Sequence, residues 1–325
     1  GKRLHETLDL CLECKGCKSE CPSNVDMAKL KYEFLSRYNK VHGIPLRARL
    51  FAHIALINRW SSYLGPLANI GLNNSLIRWF LHFFLGIHKS RKLPNLASQT
   101  FPEWFRKRKC TEKVNERKVV LFHDTFMDYN HPEVGKAAVE LLEATGCEII
   151  LADKVCCGRP MISKGMLEQA QNYARVNVDR LYSYAQAGIP IVGCEPSCLL
   201  TLRDEYPELL RDEKSRIVAN NAMLIEEFLI SLHQNGKLSL RFKKVTSKIL
   251  FHGHCHQKAL SGTSTSLAVL RLIPGLQVEE INSGCCGMAG AFGYEREHYD
   301  LSMAVGAQKL FPAVEANPDA QIAIT

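Results

Sequence analysis

The chain has 325 residues, of which 46% are hydrophobic and 23% charged, so it can bury a large core and is neither disordered nor collagen-like. Its net charge of +8 is uneven, because residues 34–102 contain nine Lys or Arg and no Asp or Glu. The longest apolar stretch, residues 75–87, is shorter than the roughly 20 residues that a membrane-spanning helix needs. No such helix is predicted.

The thirteen cysteines indicate metal ligation rather than disulfide bonds. Their number is odd, and most lie in short clusters instead of at the spread spacings of a disulfide framework. We therefore predict a reducing compartment, namely the cytoplasm, with peripheral contact on the inner face of a membrane as an option. The first residues, Gly-Lys-Arg-Leu-His-Glu, contain neither an initiating Met nor an apolar signal segment, so we expect the sequence to begin inside a longer protein.

The first cysteine motif lies at the amino-terminal end of the chain. Its spacing, Cys11-x2-Cys14-x2-Cys17-x3-Cys21-Pro22, is that of bacterial [4Fe-4S] ligation, in which short gaps let soft thiolates converge on one cluster. In proteins with two clusters the last Cys of each run serves the other cluster. The motif therefore leaves two options: Cys21 closes the cluster locally, or it belongs to a companion site upstream. A helical pattern follows from Asp26 onward.

The basic segment, residues 34–102, predicts several short helices. Apolar residues recur at helical spacing, and Gly65-Pro66 and Asn73-Asn74 interrupt the pattern. One interpretation is a surface that rests on anionic lipid near the quinone pool. The other is docking onto the acidic face of a flavin domain, which we favour slightly because aromatic rows at helical spacing are usually buried. Nucleic-acid binding fits the charge but lacks a recognition motif. The aromatic residues concerned are Trp60, Trp79, Phe80, Phe83 and Phe84.

An α/β domain is predicted after a charged linker over residues 103–117. From Lys118, apolar runs of strand length alternate with helical stretches, which is typical of a largely parallel sheet. The predicted strands are 119–122, 149–151, 189–192, 249–251 and 322–324, and the clearest helices are 134–144 and 166–187. The predicted fold class is α/β, with a helical ferredoxin-like domain over 1–102 and a cysteine-rich domain over 118–325.

An internal repeat divides the second domain into halves, 118–245 and 246–325. With an offset of 129 residues, Leu121-Phe122-His123 aligns on Leu250-Phe251-His252, and Cys156-Cys157-Gly158 aligns on Cys285-Cys286-Gly287, without a gap. The single matches are weak, but the two together in one register are hard to obtain by chance. Two related α/β halves are therefore predicted.

Each half carries a candidate metal site built around its Cys-Cys pair. Adjacent thiols can serve one multinuclear site, and the following Gly allows a close backbone approach. The halves differ, since the offset places Phe126 opposite Cys255 and places the counterpart of Cys198 at position 327, beyond the last residue. We therefore expect the second site to be incomplete. The candidate ligands are Cys156, Cys157, Cys194 and Cys198 in the first half and Cys255, Cys285 and Cys286 in the second.

Other polar and thiol residues are assigned structural roles. His252, His254 and His256 alternate around Cys255, but such histidines are more often hydrogen-bonded structural residues than ligands, and the same holds for His123. Cys147 is predicted to be a plain thiol in a buried strand, and Cys110 a plain thiol in the linker. No catalytic residue is assigned.

The Cys-Cys-Gly repeats resemble the cysteine-rich domain found in heterodisulfide reductases and in glycolate oxidase iron-sulfur subunits. The order of motif, basic segment and cysteine-rich domain is similar to the C-terminal half of FAD- and iron-sulfur-containing dehydrogenases that oxidise D-lactate, glycolate or D-2-hydroxyglutarate. The resemblance is carried by residues 8–31, 155–164, 193–206 and 283–294. The chain departs from the reductase pattern at Phe126 and in having Cys-x3-Cys at 194–198, so disulfide reduction is doubtful.

The resemblance implies an iron-sulfur electron-transfer module that passes electrons from a flavoprotein to a membrane or quinone acceptor. The sequence contains neither Gly-x-Gly-x-x-Gly nor a P-loop, so the FAD is expected on a partner or on an upstream segment. The chain alone is therefore not expected to oxidise a substrate. Two alternatives are a thiol-disulfide reductase and a structural metal-binding scaffold.

Overall fold

The amino-terminal third of the protein is helical. The structure, a computed structural model, describes residues 1–108 and 117–324; the thiol predicted at Cys110 lies outside these ranges. The helices of this region are α1 (Lys2–Asp9), α2 (Gly16–Glu20), α3 (Met27–His42), α4 (Leu46–Ala52), α5 (Ile54–Ser62), α6 (Pro66–Asn73), α7 (Ser75–Leu85) and α8 (Phe101–Lys107). No helix in the described ranges is long and apolar enough to cross a membrane.

Helix boundaries in this region follow the predicted start and stop signals. Asp26 caps α3, since its carboxylate accepts a 3.0 Å hydrogen bond from the backbone N–H of Lys29. Asn74 separates α6 from α7 and caps the latter through a 2.8 Å bond from the N–H of Leu76. The helical pattern from Asp26 and the two predicted interruptions are therefore confirmed.

Helix α8 connects the helical region to the first sheet. Phe101 is fully buried against Val119 and Leu121 of the first strand, so the helix belongs to the core of that sheet. The predicted linker, 103–117, is thus helical over its first five residues, 103–107, while residues 109–116 lie outside the described ranges. Charge alone suggested a linker, but the apolar face of this short helix determines its packing.

The first parallel sheet has the strand order β2-β1-β3-β4. Its strands are β1 (Arg117–Leu121), β2 (Cys147–Leu151), β3 (Ile191–Gly193) and β4 (Ala222–Leu224). Buried apolar clusters cover both faces, as a parallel sheet requires. The helices around it are α9 (Thr125–Tyr129), α10 (Pro132–Ala144), α11 (Arg159–Ser163), α12 (Leu167–Gln186), α13 (Pro196–Arg203), α14 (Glu205–Leu210), α15 (Glu213–Asn221) and α16 (Ile225–Gln234).

The second sheet is smaller, with the parallel order β6-β5-β7. Its strands are β5 (Lys248–His252), β6 (Gln277–Glu280) and β7 (Gln321–Ile324). Its buried cluster is built on Leu250, Ile281 and Leu310. Its helices are α17 (Cys255–Leu260), α18 (Ser264–Arg271), α19 (Tyr299–Ala307) and α20 (Leu310–Glu315), with 3-10 turns at Phe292–Tyr294 and Arg296–His298.

The two sheets repeat one arrangement. Strands β2-β1-β3 of the first correspond in order to β6-β5-β7 of the second, and the glycines after the two Cys-Cys pairs, Gly158 and Gly287, have left-handed φ values of 83° and 87°. The predicted α/β fold with parallel sheets is confirmed. Strands β4 and β6 were not predicted, since β4 is very short and β6 has the polar sequence Gln-Val-Glu-Glu.

An ion cluster joins the helical region to the 3-10 turns that accompany the second sheet. His298 lies 3.1 Å from Asp9 of α1 and 2.8 Å from Glu295. Burial alone would lower the pKa of His298, but the hydrogen bonds with these two carboxylates raise it to about 9. Arg47 of α4 and Lys164 also contact this cluster.

Candidate metal centres

The N-terminal cysteine motif begins in the loop between α1 and α2 and continues through α2, which contains Cys17 and is followed directly by Cys21. Cys11, Cys14, Cys17 and Cys21 are partly exposed, and the backbone N–H of Met27 donates to Cys17 Sγ at 3.3 Å. Lys31 of α3 donates to the carbonyl oxygen of Cys11 at 2.7 Å. Such N–H donors stabilise thiolate sulfur and tune the potential of iron-sulfur centres.

Two charged spacer residues shape this loop. Glu13 and Lys15 flank Cys14 and have left-handed φ values of 53° and 61°, which are uncommon for residues with a side chain. Both are buried, with only 6% and 1% of their surface exposed. The strain and the desolvation of these charges need compensation from specific contacts.

The burial of Glu13 and Lys15 is compensated by ion pairs with residues of the first half and of α3. Glu13 lies 3.2 Å from Arg159 and 3.2 Å from Lys31. Lys15 pairs with Asp204 and, at 2.5 Å, with Glu205. Arg159 also lies 2.5 Å from Glu205, so the ion pairs form one continuous buried network.

The same loop contacts the second half. His256 Nε2 donates to the carbonyl oxygen of Glu13 at 2.9 Å, and helix α17, which begins at Cys255, packs against α2. A hydrogen bond with Cys285 lowers the pKa of Cys255, while burial and the proximity of Cys14 oppose that shift. The loop therefore lies in a cleft between the two halves.

In the first half, three of the four predicted ligands meet. Cys157 Sγ lies 3.1 Å from Cys198 Sγ, and the Cys156 thiol is hydrogen-bonded to Cys157. Cys194 instead packs with the apolar cluster that contains Phe101. Burial and the carboxylates of Asp124 and Glu226 raise the pKa of Cys194 to about 12.

In the second half, all three predicted ligands form a chain of contacts. Cys285 is hydrogen-bonded to both Cys255 and Cys286, and the N–H of Gly287 donates to Cys285 Sγ at 3.3 Å. His252 contacts Cys286 and lies 2.7 Å from Ser283 Oγ through its Nδ1. The third thiol is placed differently in the two halves, since Cys255 contacts the first cysteine of its pair, Cys285, whereas Cys198 contacts the second cysteine of its pair, Cys157.

The remaining histidines make hydrogen bonds with protein atoms. His123, the repeat equivalent of His252, contacts Asp128 at 2.5 Å and the carbonyl oxygen of Ala152 at 3.0 Å. His254 Nε2 lies 3.0 Å from Ser197 Oγ, which joins the two halves. These contacts fit the structural role predicted for the histidines. Cys147 lies buried in β2, where the strand was predicted.

The spacing of the thiols differs from that of a closed tetrahedral zinc site. A tetrahedral zinc site places its sulfurs about 3.8 Å apart, because each Zn–S bond is about 2.3 Å. In the described part of the chain, the three donors that all lie within 4.8 Å of one another are Glu295, Glu297 and His298, not cysteines. No three of the described cysteine sulfurs come this close to one another, although Cys157 and Cys198 lie 3.1 Å apart, so the thiols do not form a closed zinc site. Their soft sulfurs suit zinc and iron-sulfur centres alike.

Sequence reasoning missed the charged residues that hold the loop. Glu13, Lys15 and Arg159 each lie within two residues of a predicted ligand, and this proximity was the available signal. Charged spacers in a cysteine loop are usually solvated, so their burial depends on partners far along the chain. The network became evident only from the folded contacts.

Comparison with known proteins places these features in a family. The model of a cysteine-rich domain, CCG, matches residues 120–203 and 249–324. The chain is 31% identical to the C subunit of the anaerobic glycerol-3-phosphate dehydrogenase of Escherichia coli K12, over 90% of this chain and 74% of that protein. It is 29% identical to lactate utilization protein A of Bacillus licheniformis, over 57% of this chain and 79% of that protein.

A third relative is longer. The chain is 28% identical to the D-2-hydroxyglutarate dehydrogenase of Escherichia coli K12, over 93% of this chain but only 30% of that enzyme. The chain thus spans less than a third of this relative. The matches confirm the resemblance to the cysteine-rich domain and to a D-2-hydroxy-acid dehydrogenase that the motifs predicted.

Proposed function

Because the chain belongs to the family of the C subunit of the anaerobic glycerol-3-phosphate dehydrogenase and contains two matches to the cysteine-rich CCG domain, we propose that it is the iron-sulfur electron-transfer module of a flavin-dependent dehydrogenase. The observation that carries the proposal is the set of three thiol groups around one cleft: the N-terminal loop and the Cys-Cys pair of each half. The thiol-disulfide reductase and scaffold alternatives are not favoured, since the matched relatives include two dehydrogenases.

The N-terminal motif is proposed to hold a [4Fe-4S] cluster in a ferredoxin-like domain. When bound, the cluster accepts and releases one electron at a time. Cys11, Cys14 and Cys17 are proposed as ligands, with Cys21 either completing this site or serving a companion site. The domain division into 1–102, the linker 103–117 and the two halves 118–245 and 246–325 is kept as part of this proposal.

Each half of the second domain is proposed to hold a further centre. Cys156, Cys157 and Cys198 would bind it in the first half, and Cys255, Cys285 and Cys286 in the second, while Cys194 needs a rearrangement to join the first site. The chain's own residues orient the thiols: Gly287 donates its N–H to Cys285, and Tyr206 Oη donates to the carbonyl oxygen of Cys157 at 2.9 Å.

The electron donor is proposed to be a flavoprotein. The dehydrogenases that the chain resembles are named for D-2-hydroxyglutarate and glycerol 3-phosphate, each of which carries a secondary alcohol. A flavin that takes a hydride from such a carbon needs a carrier that removes its electrons singly. The substrate pocket would lie on the flavoprotein, so a small 2-hydroxy acid or a polyol phosphate is the proposed substrate class.

The electron acceptor is proposed to lie at a membrane surface that carries anionic lipid, and the chain is proposed to bind that surface. Helices α5–α7 expose a row of large apolar side chains, among them Trp60, Trp79, Phe83 and Phe84, each more than half exposed. The competing occupant of this apolar row is a flavin domain, as one of the two interpretations of the sequence predicts. We favour lipid because residues 34–102 contain no acidic residue and their basic side chains suit anionic headgroups.

Vesicle binding tests the membrane contact. Replacing Trp79, Phe83 and Phe84 together by Ser is expected to lower the partition onto phosphatidylserine-containing vesicles by about tenfold or more, because the apolar contact area is lost. High salt should weaken the wild-type binding as well. Co-sedimentation with the vesicles measures the binding, with Val134→Ser, at an exposed position of α10, as the control. Equal sedimentation of wild type and triple variant would contradict the lipid proposal and favour the flavoprotein as occupant.

Metal analysis tests the cofactor. The chain purified without oxygen is expected to contain iron and acid-labile sulfide in equal amounts and to give a reduced-cluster paramagnetic resonance signal after dithionite. Cys17→Ser should lower the iron by about four per chain if one [4Fe-4S] cluster is lost. Cys147→Ala removes a buried thiol that lies in strand β2 and should leave the iron unchanged. A well-folded chain that binds only zinc would overturn the proposal.

A further inference from the structure

A carboxylate in the N-terminal cysteine loop reaches both halves of the cysteine-rich domain. Glu13 lies between Cys11 and Cys14, and it is buried in a left-handed conformation that disfavours side chains. A buried acid in a strained conformation persists only where its surroundings hold it firmly. The contacts of Glu13 therefore indicate which parts of the protein it holds together.

The side chain of Glu13 contacts the first half. Its Oε2 accepts a hydrogen bond from Arg159 at 3.2 Å, and its Oε1 accepts one from Ser163 at 3.2 Å. Both partners lie on α11, which begins two residues after Cys157. Lys31, which also holds the carbonyl oxygen of Cys11, lies 3.2 Å from Oε1. One carboxylate thus ties the loop to the helix that follows the first Cys-Cys pair.

The backbone of Glu13 contacts the second half. Its carbonyl oxygen accepts a 2.9 Å hydrogen bond from Nε2 of His256. His256 follows Cys255 directly, and Glu13 precedes Cys14 directly. A single hydrogen bond therefore joins the immediate neighbours of two candidate ligands that belong to different sites.

We propose that Glu13 is the positioning residue that seats the N-terminal cysteine loop in the cleft, so that the N-terminal centre lies beside the centres of both halves. The proposal rests on the proposed function, because it concerns the distance between iron-sulfur centres. Electron transfer weakens steeply with the separation of donor and acceptor, so a loop that moved out of the cleft would interrupt the path. The ion pairs of the Glu13 side chain hold the loop against the first half, and the hydrogen bond to its carbonyl oxygen holds it against the second half.

The test compares Glu13→Ala and Glu13→Gln with Glu20→Gln, whose side chain is exposed on α2 of the same motif. In the dithionite-reduced, iron-loaded chain, neighbouring paramagnetic centres broaden one another's resonance signals. Glu13→Ala is expected to keep its iron but lose this broadening. Glu13→Gln keeps the oxygen that faces Arg159 and should retain the broadening, while the loss of a negative charge raises the midpoint potential of the N-terminal centre. Glu20→Gln should change neither quantity.

A second measurement does not depend on iron. Amide hydrogen exchange of residues 11–21 in the metal-free chain reports whether the loop is seated. Glu13→Ala is expected to speed exchange there by about tenfold or more, and Glu13→Gln by less. Exchange and broadening that are both unchanged in Glu13→Ala would overturn the proposal. Faster exchange in a chain that never binds iron would instead support the seating and reject the electron-transfer function.

Discussion

Gly287→Ala is expected to destabilise the second half far more than Gly158→Ala destabilises the first. Both glycines follow a Cys-Cys pair and have left-handed φ values, so each new side chain costs about 1–2 kcal/mol of backbone strain. Only Gly287 also lacks space, because a Cβ atom there would lie 2.1 Å from the carbonyl oxygen of Ser302 in α19. At Gly158 the nearest atom is Ala170 Cα at 3.6 Å, an ordinary contact.

The overlap at Gly287 forces α19 to move. Overpacking of this kind costs a further 1–3 kcal/mol or more, which gives a total loss of about 2–5 kcal/mol for Gly287→Ala. The core under this site is small, so it has little capacity to absorb the shift. Urea unfolding of the metal-free variants, followed by circular dichroism, measures both losses. Equal midpoints for the two variants would contradict the argument, since they share the backbone strain and differ in the clash.

The two glycines show which features of the repeat could be predicted from the sequence and which could not. The offset of 129 residues correctly placed the two Cys-Cys-Gly segments in equivalent positions, and both glycines have nearly the same φ. It could not indicate that α19 packs closely on one of them and α12 more loosely on the other. Packing distances depend on residues outside the repeated motifs, which have diverged between the halves.

The apolar alternation was sufficient to predict most of the sheets. The central strands β1 and β5 are rich in apolar residues and lie where they were predicted, and the helix predicted over 166–187 is α12. Strand β6 was not predicted because its side chains are mostly polar; it forms by pairing with β5, from Lys248–Gln277 to Phe251–Glu280. Tertiary pairing thus overrides a weak local preference there.

The candidate site was likewise predicted from the sequence only in part. Spacing correctly grouped Cys255 with Cys285 and Cys286, and it correctly grouped Cys156, Cys157 and Cys198 as neighbours. Spacing did not separate Cys194 from its group, because whether a side chain at the end of a strand faces one layer of helices or the other is decided by the backbone of the turn. The ligand roles themselves remain predictions.

The buried network around the cysteine loop joins residues far apart in sequence. Glu13 and Arg159 are separated by 146 positions, and Glu13 and His256 by 243. No periodic pattern links such residues, so the ion pairs were outside the reach of sequence reasoning. They are nevertheless the contacts that bring the three cysteine groups together.

Replacing Arg159 by Met is therefore expected to cause one of the largest losses of stability among single substitutions in the chain. Met keeps much of the side-chain volume but removes the cation that the carboxylates of Glu13 and Glu205 share, so that only Lys31 and Lys15 remain to neutralise them. Breaking a buried ion pair costs about 3–5 kcal/mol. Urea unfolding of the metal-free chain measures this cost.

The control for Arg159→Met is Arg180→Met. Arg180 pairs with Asp153 at 3.0 Å, but both side chains are largely exposed, and surface pairs contribute about 0–1 kcal/mol. Comparable small losses for the two variants would mean that Lys31 and Lys15, or water that enters the cleft, compensate the two carboxylates without Arg159. The loop would then be held by the remaining lysine ion pairs and by its backbone contact with His256 rather than by Arg159. A large loss for Arg159→Met alone would establish that the cleft excludes water where the N-terminal loop meets the first half, and that charge holds the loop in the position that the proposed electron path requires.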